Sequence, residues 1–320
     1  MQQTNAALEW DHLMREGRFA DAWTVYDGVL ARATPHDCSR PRHLQIVWTG
    51  TPLAGKRVLV RCYHGLGDTI QFVRFARALR EIAAGVTIWG QPALLPLLAQ
   101  VDGVDRVEAI GDGAPLTPYG VDIEIMELPH ALRAEPHAVT SSTPYIRPLA
   151  PCPAEARAMI DACGTALRVG VVWRGGDWDC ARNVPPALLA QLAEIPGVRL
   201  FSFQPESRGD SQSIGAIDCG HLNIAGIASV LPEIDLVISV DTMLAHLAGA
   251  MMRPTWTLLP NRCDWRWMRA RCDTPWYPTM RLFRQDIPGN WTSAIETVKH
   301  ELMQVSSAKK LSAGMPSRRD

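Results

Sequence analysis

The stretch RVLVRCYHGLGDTIQFVRFARALREI, residues 57–82, changes its period halfway. Residues 57–63 form a mostly apolar run, which predicts a buried strand. Residues 68–82 carry apolar side chains at helical spacing, which predicts a helix. Gly65, Gly67 and Asp68 occupy the join. Glycine lets a backbone approach a ligand with no Cβ in the way. A carboxylate at a helix start is stabilised by the helix dipole. The same three residues also read as a glycine turn followed by a capping aspartate, and the join alone does not separate the two readings. A dinucleotide site is disfavoured. There is no GxGxxG, and the second strand runs into WGQP (89–92), which offers no acid to a ribose.

Strand–helix alternation continues outward from this unit. VTIW (86–89), DRVEAI (105–110) and VDIEIMEL (121–128) read as strands, and PALLPLLAQV (92–101) as a helix that begins on proline. Four prolines in 144–155 mark a boundary. A second series follows: strands at 168–173, 198–203, 235–240, 254–259 and 281–285, and helices at 185–195, 224–234, 241–252 and 291–305. Strands that are apolar throughout, rather than at every second residue, belong to parallel sheets covered on both faces. The expected fold class is therefore α/β, with two Rossmann-like domains facing a cleft. At the front, residues 8–33 read as two short helices broken at Gly17, similar to one tetratricopeptide-type pair. A free-standing solenoid needs about three repeats, so the pair must pack on something else. The expected layout is a helix pair at 1–34, a linker at 35–55, a first domain at 56–148, a second at 149–305 and a disordered tail at 306–320.

Bulk properties narrow the function. A net charge of -1 over 320 residues argues against nucleic acid as a partner. No apolar run approaches the roughly 18 residues of a membrane span. The N-terminus is polar and unlike a secretory leader. None of the eight cysteines is spaced CxxC, so they read as reduced thiols of a cytoplasmic protein.

Ligands of open α/β sheets bind beyond the carboxyl ends of strands, so the loops after strands carry the chemistry. In SVDTMLAHLAG (239–249), Asp241 and Thr242 open a helix and His246 follows one turn on, sharing a face with Thr242. Free N–H groups at such an end favour phosphate; a cap and a core histidine are the plainer reading. WRGGDWDCARNVP (173–185) offers Arg174 and Arg182, either of which can neutralise a diphosphate. Its DWD (177–179) mimics a DxD metal motif, but three-residue matches are cheap and no metal is expected. Gln204 ends a strand within reach of a base or ribose. Trp265, Trp267, Trp276 and Tyr277 alternate with arginines in 261–285. They read as stacking platforms or as packing between domains.

HGLGDTIQF, RVGVVWRGG, DLVISVDTMLAHLAGAMMRPTWTLLP and DWRW…TPWYPTMRLFRQ together resemble glycosyltransferase family 9, the heptosyltransferase-like family. More narrowly, they are similar to its branch with tetratricopeptide repeats before the transferase domain. The resemblance spans roughly residues 50–300. It implies a GT-B fold and sugar transfer from a nucleotide-diphosphate-sugar to a glycan, lipopolysaccharide or protein acceptor. The donor would sit on the second domain and the acceptor on the first, with no metal and no further cofactor. It implies Asp68 as general base beside Gly65 and Gly67. It also implies a donor site that Arg182, Asp241, Thr242 and His246 match, to which the reading of the loops adds Arg174 and Gln204. Met243 stands where the family has glycine, and Arg182 where heptosyltransferases have lysine. A protein partner on the N-terminal helix pair is a further expectation. The alternative is a non-catalytic relative that binds a nucleotide sugar or a protein.

Overall fold

The computed structural model describes residues 2–136, 143–176, 179–206 and 208–313. The chain forms two compact units. The first comprises Met1–Arg147, Ala250–Met252 and Asp264–Pro278; the second comprises Pro148–Gly249, Arg253–Cys263 and Thr279–Asp320.

The first unit begins with helices α1 (Gln2–Arg15) and α2 (Phe19–Leu30), joined at Gly17, whose φ of 74° suits a residue without Cβ. Its sheet holds β1 (Arg57–Arg61), β2 (Gly85–Gly90), β3 (Arg106–Ala109) and β4 (Val121–Glu124) in the order β3-β2-β1-β4, all parallel. Helices α3 (Leu66–Phe72), α4 (Ala76–Ile82), α5 (Leu95–Leu98) and α6 (Leu128–Ala131) complete it. The helix expected over 68–82 is interrupted by a 3-10 turn at Val73–Phe75. Arg74 Nε donates to the Gln71 carbonyl at 2.8 Å and so competes for an acceptor of the helical ladder. β1 is buried at four of its five positions, as a central parallel strand should be.

The second unit contains α7 (Ala154–Asp161), β5 (Leu167–Val172), α8 (Pro186–Ala193), β6 (Val198–Ser202), α9 (Arg208–Ser213), β7 (Ile217–Asp218) and α10 (Ile224–Val230). It continues with β8 (Leu236–Val240), α11 (Met243–Ala250, whose last residue belongs to the first unit), β9 (Thr255–Leu259), β10 (Met280–Arg284) and α12 (Thr292–Ala313). Its six strands run parallel in the order β10-β9-β8-β5-β6-β7. This is the doubly wound arrangement, with the strand order reversing between β5 and β8. Val169, Val171, Leu200, Ile238, Val240 and Leu258 fill the core, and Ile295, Val298 and Leu302 of α12 cover it.

Two boundaries differ from expectation. Residues 306–313, placed in a disordered tail, continue α12. Their polar side chains are anchored: Ser306 Oγ donates to the Pro196 carbonyl at 3.0 Å, and Lys309 Nζ reaches the Ala166 carbonyl and the Asp235 carboxylate. Residues 314–320 lie outside the described residues. The tryptophan-rich stretch, placed in the second domain, belongs to the first unit from Asp264 to Pro278. There Trp265 meets Trp10 edge-on at 5.3 Å and stacks on Phe72, while Trp276 stacks on Phe19. The helix pair thus has the support it needed. Trp267, Trp276 and Tyr277 are fully buried, so they are core side chains and not a ligand platform.

Gly103, with φ 91°, packs against α4. A Cβ there would stand 2.4 Å from the Ala76 carbonyl oxygen. Gly103→Ala is therefore expected to destabilise the chain by about 3 kcal/mol or more, since both the backbone conformation and the neighbouring helix resist it. A urea midpoint unchanged from the wild type would contradict this.

Candidate functional site

In each sheet the strand order reverses once, between β1 and β4 in the first unit and between β5 and β8 in the second. The sequence-derived site residues cluster at the carboxyl ends of those strands, where the reversal opens a crevice.

In the second unit, β5 leads into Trp173 and Arg174, whose backbone N–H groups both donate to Gln204 Oε1, at 3.2 and 2.9 Å. Gln204 is buried at the end of β6, and its own carbonyl lies against Gly220, where a Cβ would come within 2.2 Å. The loop after β5 returns through Arg182, which is buried and whose Nη1 donates to the Asp241 carbonyl at 2.6 Å. Gly175 makes room for that guanidinium: a Cβ there would lie 2.7 Å from Arg182 Nη2. Asp241 follows β8 directly. Its Oδ1 lies 3.5 Å from Nε2 of buried His246. The Thr242 hydroxyl hydrogen-bonds Ser239 Oγ at 3.0 Å. Arg182, Asp241, Thr242 and His246 therefore gather at the start of α11, and Gln204 orders the loop that carries Arg174. The Arg174 side chain is exposed. Met243, the departure from the family glycine, is the first residue of α11 and is half-buried.

In the first unit, β1 leads through His64 into α3. Gly65 has φ -68°, an ordinary value for any residue. Its role is spatial, since a Cβ would crowd Asp68 Oδ2 at 3.1 Å. Gly67 lies inside the first turn of α3. Asp68 Oδ2 accepts the Gly65 N–H at 2.9 Å, and Oδ1 pairs with Arg266 Nη1 at 2.7 Å. The capping reading is realised, and an arginine from the tryptophan-rich stretch has been added to it.

Sequence reasoning missed three groups here. Glu124, at the end of β4, is 2% exposed. Its Oε1 accepts the Tyr63 N–H and faces His64 Nδ1 at 3.0 Å, and its Oε2 accepts the Met126 N–H. Glu127, also buried, accepts the N–H groups of Glu124 and Trp48. Burial and the neighbouring Glu124 charge push its pKa up to about 8, although those N–H groups favour the carboxylate. Burial pulls the His64 imidazole pKa down. The hydrogen bond and charge of Glu124, together with the charge of Asp68, outweigh burial and the opposing Arg266, so the net direction is up. The available signal was EIME (124–127), two acids in an apolar run at the end of a parallel strand. A cavity of about 400 Å³ in the first unit is lined by Trp10, Tyr26, His43, His64, Glu124 and Trp265, among others.

Among the described residues no cluster of three or more His, Cys, Asp or Glu side chains is placed to hold a metal ion. Asp177 and Trp178 of the DxD-like stretch lie outside the described residues, while Asp179 accepts the Ala181 N–H as a cap. No helix among the described residues is long and apolar enough to cross a membrane.

Residues 210–271 match the model of glycosyltransferase family 9 (heptosyltransferase), a segment that includes Asp241, Thr242 and His246. The chain is 22% identical to Protein FlbA of Caulobacter vibrioides over 92% of its own length, and it spans 54% of that protein, about half. In fold it is similar to the family 9 glycosyl transferase from Veillonella parvula. The TM-score is 0.56 at 13% identity, covering 81% of this chain and 98% of that one. It is also similar to the E. coli ADP-heptose lps heptosyltransferase II, with a TM-score of 0.53 at 12% identity, covering 81% and 100%. The family-level resemblance drawn from the motifs is borne out over residues 210–271, and the GT-B assignment by these folds.

Proposed function

We propose that the chain is a glycosyltransferase that moves a sugar from a nucleotide-diphosphate-sugar to a glycan, lipopolysaccharide or protein acceptor. One observation carries the reading. At the strand-order reversal of the second unit, buried Arg182 is fixed on the Asp241 carbonyl at the start of α11. Breaking the bond from sugar to diphosphate leaves negative charge on the departing oxygen. A preorganised guanidinium and the free N–H groups of a helix start stabilise charge that develops there. In this reading Asp241, beside His246, would meet a ribose hydroxyl, and Gln204 would hold the loop that faces the base or ribose. The acceptor belongs to the first unit, where Asp68 was expected to take its proton.

Thermal unfolding against a panel of nucleoside diphosphates tests the donor site. One nucleotide at about 100 times its dissociation constant is expected to add about 2.7 kcal/mol of stability to the wild type and nothing to Asp241→Ala. If no nucleotide stabilises the wild type, the reading is wrong. A second reading, a non-catalytic nucleotide-sugar binder, is favoured by the engagement of both Asp68 oxygens. It expects the same stabilisation with no turnover.

A further inference from the structure

We infer that the cavity of about 400 Å³ in the first unit recognises a peptide, taking one apolar side chain and the adjoining peptide group of a protein partner, with an acidic residue alongside. Neither the donor site nor Asp68 takes part, and every wall residue belongs to the first unit. The helix pair supplies Trp10, Tyr26 and Val29, and the chain after β4 supplies Met126 and Pro129. These side chains are apolar over most of their surface, so the space they enclose favours an apolar group. The two wall acids are already held. Glu124 accepts the N–H groups of Tyr63 and Met126 and faces His64 Nδ1, and Glu127 accepts those of Glu124 and Trp48. A cationic ligand finds no uncommitted carboxylate there.

Two buried atoms of wall residues, Trp10 Nε1 and His130 Nδ1, have no hydrogen-bond partner among the described residues. His130 is 2% exposed, and its Nε2 lies 2.8 Å from Asp27 Oδ1. An ionised carboxylate only accepts, so Nε2 carries the proton and Nδ1 is left with an unused lone pair. Trp10 Nε1–H only donates. Buried polar groups are normally paired, and here one donor and one acceptor stand unpaired on either side of an apolar space. A peptide group offers the matching carbonyl and N–H. A sugar ring suits the walls less well. It brings several hydroxyls to two unpaired atoms, and Trp265 already stacks on Phe72 and meets Trp10 edge-on, which leaves less open aromatic face. Arg40 and His43 complete the lining and are exposed. The Arg40 cation favours an acidic residue beside the inserted one.

Saturation-transfer NMR on the full chain tests this with acetyl-Gly-Xaa-Asp-amide peptides, where Xaa is leucine, methionine, phenylalanine or glycine, and with methyl hexosides beside them. At least one apolar peptide is expected to bind about tenfold or more tighter than the glycine peptide. Trp10→Phe keeps a ring but loses the Nε1–H, and is expected to weaken that peptide about fivefold. Arg40→Ala is expected to weaken it about threefold, an effect that salt reduces. Ala6 lines the cavity from α1, so Ala6→Trp fills the space and is expected to abolish binding. A thermal midpoint near that of the wild type reports that each variant folds. The proposal is overturned if no apolar peptide outbinds the glycine peptide, or if folded Ala6→Trp binds as well as the wild type. Binding of methyl hexosides without peptides overturns it too, and makes the cavity a sugar site. None of these outcomes touches the nucleotide response, which belongs to the second unit, so the transferase reading fails or survives separately.

Discussion

Raising the pH from about 5 to about 8 is expected to destabilise the first unit by roughly 4 kcal/mol, and Glu127→Gln is expected to remove most of that loss. The carboxyl of Glu127 loses its proton near the ordinary 4.5 in the unfolded chain but keeps it to about 8 in the folded one. Between those values the folded state binds the extra proton, so stability falls as pH rises, and the full loss is present above about 8. Glutamine keeps an acceptor for the Glu124 and Trp48 N–H groups and carries no proton to lose. His64, whose pKa is raised, contributes in the same direction and remains in the variant. Urea unfolding at both pH values, for the wild type and Glu127→Gln, isolates the carboxyl. Equal pH slopes in the two proteins would mean that Glu127 is ionised throughout.

Arg266→Ala is expected to destabilise the chain by about 3–5 kcal/mol, the range for breaking one side of a buried ion pair. The arginine is 7% exposed, pairs with Asp68 at 2.7 Å and lies over the rings of Phe72 and Trp265. Truncation leaves the half-buried Asp68 carboxylate without this cation and removes packing from two aromatic faces. Adding Asp68→Asn is expected to recover part of the loss, giving a positive coupling energy in a double-mutant cycle. A coupling near zero by denaturant unfolding would mean that the pair holds nothing, and would return Asp68 to a purely chemical role.

The local signals were legible because they are periodic or positional. Continuous apolar runs marked the parallel strands, and residues placed after those strands marked Arg182, Asp241, Thr242 and His246, which do meet at one helix start. The less legible features depend on partners far along the chain. Nothing in 264–278 says that Trp276 will stack on Phe19, or that Arg266 will reach Asp68. Glu124 and Glu127 read as ordinary strand-end acids, because burial is set by the connector at Trp48 and by the helix pair, not by their own neighbours in sequence. Ser306, Lys309 and Lys310 read as solvated, because their acceptors are the distant carbonyls of Ala166 and Pro196.

The return of Asp264–Pro278 to the first unit also sets a clock on synthesis. A chain emerging from the ribosome presents Trp10, Phe19 and Phe72 long before Trp265 and Trp276 exist to cover them. Domains made earlier generally fold earlier, and apolar surface left open in the meantime is prone to aggregation. Here the earlier unit has to wait for a segment translated after most of the later one. Nascent chains arrested shortly before residue 264 therefore carry an uncovered aromatic face, a natural target for chaperones that bind such surfaces.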